Sequence, residues 1–137
     1  MKVEDVMNRE LEYIEPNASV REAIDRMLKK GMRSLVVKPK DEMDTYGVVT
    51  VRDIVFGVFA NGLDPNDVKV ADIASKPVVC VDKSVDVGLA LRLMKRFNIA
   101  RVFVFEEGKI VGIVTLMDLM RVYSKSKSIT RTFDEEF

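Results

Sequence analysis

The stretch GVVTVRD, Gly47 to Asp53, returns as GIVTLMD, Gly112 to Asp118, with Thr115 following Thr50 by 65 residues. The repeat does not stand alone. VEDVM (Val3–Met7) resembles VADIA (Val70–Ala74). SVREAIDRM, from Ser19, resembles SVDVGLALRLM, from Ser84, read with two extra residues near Val87–Leu89. RSLVV ending at Val37 resembles ARVFV ending at Val104. Four matches in the same order make an internal duplication, and a duplication fixes the plan of the chain before any single element is placed. Each copy is about 60 residues, a length at which a lone core is marginal, so the two copies are expected to pack on each other about a pseudo-twofold axis. The boundaries read as 1–62 and 63–124, with the breaker-rich NGLDPND, Asn61 to Asp67, as the join. A tail from Lys125 to Phe137 has no period and is expected to be flexible or to serve as a partner arm.

Within the first copy Tyr13-Ile14 is a short extended piece. Ser19 and Glu22 fit a capping box in which hydroxyl and carboxylate each satisfy an orphan backbone N–H. Val20, Ala23, Ile24, Met27 and Leu28 then form an apolar stripe at helical spacing, and Gly31 suits a helix stop. Leu35–Val37 and Tyr46–Val49 read as strands around the polar turn KPKDEMD, and Thr50 opens a helix carrying Val51, Ile54, Val55, Val58 and Phe59. The second copy gives a strand over Val78–Val81 and a helix through Ala90, Leu93, Met94 and Phe97. Strands Val102–Phe105 and Ile110–Val114 follow, joined by EEGK, and then a helix from Leu116 with Leu119, Met120 and Val122.

Composition removes several functions. Twenty-two basic residues balance 22 acidic ones, which lacks the basic excess of a general nucleic-acid binder. Lys29, Lys30, Lys95 and Arg96 end the first long helix of each copy, where they complement the helix dipole. No apolar run approaches the roughly 20 residues that span a bilayer, and the acidic start MKVEDVMNRE is unlike a secretory signal, so a cytoplasmic protein is expected. Histidine is absent, which removes the commonest general base and metal ligand, and no metal site is expected. The lone Cys80, in VVCV, is expected to be a small buried residue. With no acid pair placed for proton transfer, an enzyme is not expected.

Thr50 with Asp53, and Thr115 with Asp118, can be helix caps and nothing more, each contributing about 1 kcal/mol. They can also hold a ligand. A glycine and β-branched residues bring backbone close to the strand tip, and the N–H groups of the following helix favour anions. A threonine hydroxyl bonds phosphate or ribose oxygen, while an acceptor-only carboxylate suits two vicinal hydroxyls. The residues alone leave both readings open.

The ordered double set VEDVM, SVREAIDRM, MRSLVV, GVVTVRD and VADIA, NIARVFV, GIVTLMD resembles a tandem pair of cystathionine β-synthase-type (CBS) domains, the Bateman module, over about residues 1–124. The resemblance implies an α+β fold of two β-α-β-β-α units packed face to face. It implies a stand-alone energy-sensing regulator that binds AMP, ADP, ATP or S-adenosylmethionine in the cleft between copies, assembles as a homodimer and signals to a partner protein. By the same resemblance Asp53 and Asp118 take ribose hydroxyls, and Thr50 and Thr115 contact phosphate. Met32, Arg33 and Ser34, with Ile99, Ala100 and Arg101, line the clefts, with Arg33 and Arg101 toward phosphate. Tyr13 and Ile14, or Val78 and Val79, pack on adenine. A structural or dimerisation module with empty, degenerate sites is the alternative. The chain departs from the family pattern where relatives carry proline in the central strand, here Val36 and Phe103, and in its offset arginines, Arg33 against Ala100 and Ser34 against Arg101. The two clefts are therefore not expected to bind equally.

Overall fold

The computed structural model describes residues 1–125. The tail expected to be flexible lies, from residue 126 on, outside the described residues; Lys125 itself ends a helix. The fold is mixed α+β, with two three-stranded sheets, β1-β2-β3 and β4-β5-β6. The elements run β1 (Tyr13–Ile14), α1 (Val20–Lys30), β2 (Ser34–Val37), β3 (Gly47–Thr50), α2 (Val51–Ile54), α3 (Val70–Ile73), β4 (Cys80–Asp82), α4 (Val87–Phe97), β5 (Arg101–Glu106), β6 (Lys109–Thr115) and α5 (Leu116–Lys125). A single 3-10 turn, Val3–Asp5, precedes β1, and a π-helical turn, Val55–Phe59, prolongs α2. In each sheet the first strand is parallel and the third antiparallel to the middle one. No helix among the described residues is long and apolar enough to cross a membrane.

The chain forms two compact units that divide it differently from the repeat. One is continuous, Glu12–Val78. The other is split, joining Met1–Leu11 to the chain from Val79 onward. The lead-in of each copy therefore belongs with the body of the other. In the split unit Val3 N–H donates to Val85 C=O (2.8 Å) and Val87 N–H to Met1 C=O (2.9 Å). In the continuous unit the matching bonds run from Val70 N–H to Ala18 C=O (2.8 Å) and from Val20 N–H to Val68 C=O (2.8 Å). Val3 and Val70 are both fully buried.

These pairs give the true correspondence of the copies. Val3 matches Val70, Val20 matches Val87, and the left-handed helix ends Gly31 (φ 66°) and Asn98 (φ 53°) match each other, all 67 residues apart. The two-residue insertion expected near Val87–Leu89 is not there, since α1 and α4 are both 11 residues long. The N-cap of α4 is Asp86, whose carboxylate accepts from Gly88 N–H, and not Ser84. The length difference lies in the hairpins: Val37 pairs with Gly47 but Val104 with Gly112, so the first loop is two residues longer. The short one turns on Glu107 (φ 51°) and Gly108 (φ 78°), the two left-handed positions a two-residue hairpin requires.

Each unit has its own core. In the continuous unit Ile14, Val20, Ala23, Met27, Leu35, Val37, Val49, Ile54, Val58 and Val70 cluster; in the split unit Val3, Val81, Val87, Ala90, Met94, Val102, Val104, Val114 and Leu119 do. Leu28, expected on the α1 stripe, is 77% exposed, because it sits about 90° round the helix from the stripe's centre. Phe97 is exposed at the end of α4, where α1 carries Lys30. Ser19 accepts from Glu22 N–H (3.1 Å), but the expected box is half made: the Glu22 carboxylate pairs with Arg26 instead. Cys80 is exposed and not buried, since only Val81 of β4 points into the core. Val51, Val55, Phe59 and Met120 are exposed too, leaving Ile54 and Val58 to anchor the first copy's last helix and Leu119 the second's.

The glycine of each repeated stretch is explained by the exchanged lead-ins. Asn8 bridges Ile113, and Ser75 bridges Val48, beside the outer strand of each sheet. A Cβ on Gly112 would strike the Met7 side chain (Cγ at 2.8 Å), and one on Gly47 would strike Lys76 Cγ (2.9 Å) and Ser75 C=O (3.0 Å). The close approach needed at these glycines is thus that of the chain itself.

Gly112→Ala should therefore destabilise the protein by about 1–3 kcal/mol through overpacking. In a Met7→Ala background, where the colliding side chain is gone, the added cost should largely vanish; equal costs in both backgrounds, measured by denaturant unfolding, would refute the contact. A second expectation concerns pH. Lys76 Nζ reaches Asp44 Oδ2 at 2.8 Å, and this bond, with backbone N–H groups of Lys40 and Thr45, holds the Asp44 carboxyl at about 2 against an ordinary 3.8. Stability from a lowered carboxylate is present above the ordinary value and is lost as pH falls from near 4 through 2. Asp44→Asn should flatten that part of the profile of melting temperature against pH.

Candidate functional site

Thr50 ends β3 and Thr115 ends β6, each opposite the first residue of the middle strand: Ser34 faces Thr50, and Arg101 faces Thr115. The ladder runs one bond further. Val51 N–H donates to Arg33 C=O (3.0 Å), and Leu116 N–H donates to Ala100 C=O (3.0 Å). Each helix start is thus stitched to the residues that lead into the middle strand. This places Arg33 and Ser34 beside Thr50, and Ala100 and Arg101 beside Thr115. Arg33 and Ala100 are exposed, while Ser34 and Arg101 are half-buried. Met32 and Ile99 lie one residue further back and pack partly against the two cores.

Both threonine–aspartate pairs form reciprocal caps. Thr50 N–H donates to Asp53 Oδ2 (2.9 Å), and Asp53 N–H donates to Thr50 Oγ1 (3.1 Å). Thr115 N–H donates to Asp118 Oδ2 (2.8 Å), and Asp118 N–H donates to Thr115 Oγ1 (3.2 Å). In the second copy two more bonds form. The Thr115 hydroxyl donates to Asp118 Oδ2 (3.0 Å), and Arg121 Nη1 donates to Asp118 Oδ1 (3.3 Å). Thr50 is 9% exposed, and Asp53, Thr115 and Asp118 are half-buried, so the carboxylates are held at the surface by fixed backbone.

The remaining candidates stand further off. Tyr13 faces Val36, two residues along the middle strand from Ser34, and its hydroxyl is pushed up by burial and then by the nearby Tyr46. Ile14 is 1% exposed in the core cluster, so its side chain is occupied there. Val79 lends its C=O to Phe103 N–H (2.9 Å), the bond that Glu12 C=O makes to Val36 N–H. The counterparts of Tyr13 and Ile14 are consequently Cys80 and Val81; Val78 and Val79 match Leu11 and Glu12. Arg121 was not singled out in the sequence, although an aspartate three residues before an arginine on a helix is a readable pairing signal. Among the described residues no group of three or more Asp, Glu, Cys or His side chains is placed to hold a metal ion.

The arrangement offers, twice, a surface carboxylate fixed by a cap, a threonine hydroxyl beside it, and an arginine at or one residue before the facing strand start. Such a set can accept from a diol and donate to an anion.

The CBS domain family model matches residues 3–59 and again 70–125. An uncharacterized protein of Methanopyrus kandleri is 33% identical over 99% of this chain and 68% of its own length. The chain spans less than half the length of the next three curated relatives it matches. Among solved structures, a CBS domain protein of Pyrobaculum aerophilum complexed with AMP is 25% identical, with a TM-score of 0.80 over 98% of this chain and 99% of that one. A CBS domain pair complexed with 5′-methylthioadenosine and S-adenosyl-L-methionine is 25% identical, with a TM-score of 0.78 over 93% and 98%. With two matches of the family model on one chain and the β-α-β-β-α order in both copies, this protein belongs to the CBS domain family as a tandem pair.

Proposed function

We propose that the chain is a regulatory module, not an enzyme, that binds an adenosyl ligand and signals to a partner by a change of conformation. One observation carries the reading: each copy ends its last strand in a capped threonine whose aspartate partner keeps its carboxylate at the surface beside an arginine-bearing strand start. Asp53 and Asp118 take ribose hydroxyls. Thr50 and Thr115, with Arg33, Ser34 and Arg101, face phosphate or the group in its place. Met32, Ile99 and Ala100 line the sites, and Tyr13 with the backbone of Ile14, or Val78 and Val79, lie toward the base. AMP in one similar structure, and methylthioadenosine with S-adenosylmethionine in another, support the ligand class. A ligand moves a partner only as far as its affinity differs between the two conformations.

A homodimer fits the same reading. Val51, Val55, Phe56 and Phe59 on the first copy's last helix, and Leu116, Met117 and Met120 on the second's, are all more than a third exposed. Exposed apolar side chains grouped on one helix of each unit support an interaction face on each. The alternative, a module with empty sites, draws on the caps, since Thr and Asp already satisfy each other.

Calorimetric titration with AMP, ATP and S-adenosylmethionine separates the readings. A ligand role predicts saturable binding, with Asp53→Asn and Asp118→Asn together costing at least about tenfold in affinity, the loss of a charge-assisted hydrogen bond. Stability should stay within about 1 kcal/mol, because the amide oxygen of asparagine can still accept from the threonine N–H. No heat from any of the three at millimolar concentration, with the fold intact by circular dichroism, would sink it. Sedimentation of the same samples should give twice the 15.5 kDa chain mass.

A further inference from the structure

The two half-sites are built on one plan but are not in the same state. In the second copy the carboxylate of Asp118 already accepts three hydrogen bonds: Oδ2 takes both the backbone N–H and the hydroxyl of Thr115, and Oδ1 takes the Arg121 guanidinium (3.3 Å), which leaves it fewer of its roughly four acceptor positions. In the first copy Asp53 Oδ2 takes the Thr50 N–H alone, and among the described residues nothing donates to Oδ1. The residue in the place of Arg121, 65 positions earlier, is Phe56, which cannot donate. The neighbouring cation, Arg52, lies over the Phe56 ring, 4.9 Å from its centroid, and not on the Asp53 carboxylate. A ribose diol donates two hydrogen bonds to one carboxylate, so it competes with donors already on those oxygens. Resting on the adenosyl reading above, we infer that the half-site of Thr50 and Asp53 fills first and that Arg121 holds the Asp118 half-site back by competing with the ligand for that carboxylate.

The size of the effect follows from the exposure of the pair. Arg121 is 64% exposed, and a surface ion pair of this kind shifts an equilibrium by no more than about fivefold. Engagement of the Thr115 hydroxyl adds to it, because that hydroxyl must turn from Asp118 before it can donate to an incoming anion. Arg121 thus tunes the order of filling; it does not abolish the second site. It is a specificity-determining residue that acts through Asp118, and it adds to the asymmetry already set by the offset of Arg33 and Arg101, from a helix position three residues beyond the repeated stretch.

Titration of the full chain with AMP tests this. The wild type should show a tighter and a weaker step. Asp53→Asn should remove the tighter step, and Asp118→Asn should leave it. Arg121→Ala should strengthen the weaker step about threefold to fivefold and leave the tighter one unchanged. Loss of the tighter step in Asp118→Asn, or weakening of either step in Arg121→Ala, would overturn the inference and make Arg121 a ligand contact instead. A symmetrical two-site titration in the wild type would overturn it as well. If neither wild type nor Arg121→Ala takes up AMP, ATP or S-adenosylmethionine, the adenosyl reading itself falls, and this inference with it. Backbone amide NMR shifts of residues 50–53 and 115–118 during the titration report which half-site is filling.

Discussion

The structure depends on an exchange. Each copy sends its first residues to the body of the other, where Val3 and Val70 are buried completely and their N–H groups meet the carbonyls of Val85 and Ala18. A unit of about 60 residues hides too little surface to be secure alone. The lead-in supplies a further buried valine and covers backbone near the outer strand of each sheet, where Asn8 meets Ile113 and Ser75 meets Val48. An uncovered strand edge would be a template for other chains. The glycines of the repeated stretches exist within this constraint, since a Cβ at Gly47 would collide with Lys76 and the Ser75 carbonyl, and one at Gly112 with the Met7 side chain.

From that covered sheet the site follows by register. The antiparallel ladder fixes Thr50 against Ser34 and Thr115 against Arg101, and one more bond in each copy ties the helix start to the residue before the strand. Nothing in the site rests on a long free loop. Its threonines and aspartates hold helix ends, so the atoms that cap are also the atoms a ligand would address. A cap worth about 1 kcal/mol is small enough to be rearranged by a ligand and large enough to keep the carboxylate in place without one. The copies differ in what surrounds that shared core: an arginine bonded to one aspartate, and an aromatic ring in its place beside the other.

Much of this was legible in the sequence. The duplication, the order of elements, the helix stop at Gly31, the tight turn at Gly108 and both caps follow from local chemistry: capping residues, left-handed positions and apolar period. The errors share a cause. Leu28 and Phe97 lie at the margins of their stripes, where spacing cannot tell a buried edge from an exposed one. Cys80 sits in an apolar run but faces out, because a three-residue strand buries only its middle residue. The sequence reads as a helix insertion because Ser84-Val85 imitates Ser19-Val20, whereas the second hairpin is two residues shorter. No local signal distinguishes the two placements.

The sequence by itself determined the repeated unit and the residues at the end of its last strand. Those depend on interactions between neighbours three or four positions apart, which are written in the chain. Only the tertiary structure decided which lead-in goes with which body, why Gly47 and Gly112 must lack side chains, and that β4 rather than Val78–Val79 corresponds to β1. These are matters of backbone hydrogen bonding between segments tens of residues apart. A valine in VEDVM has the same chemistry whichever body receives it, and the packed structure alone distinguishes its partners.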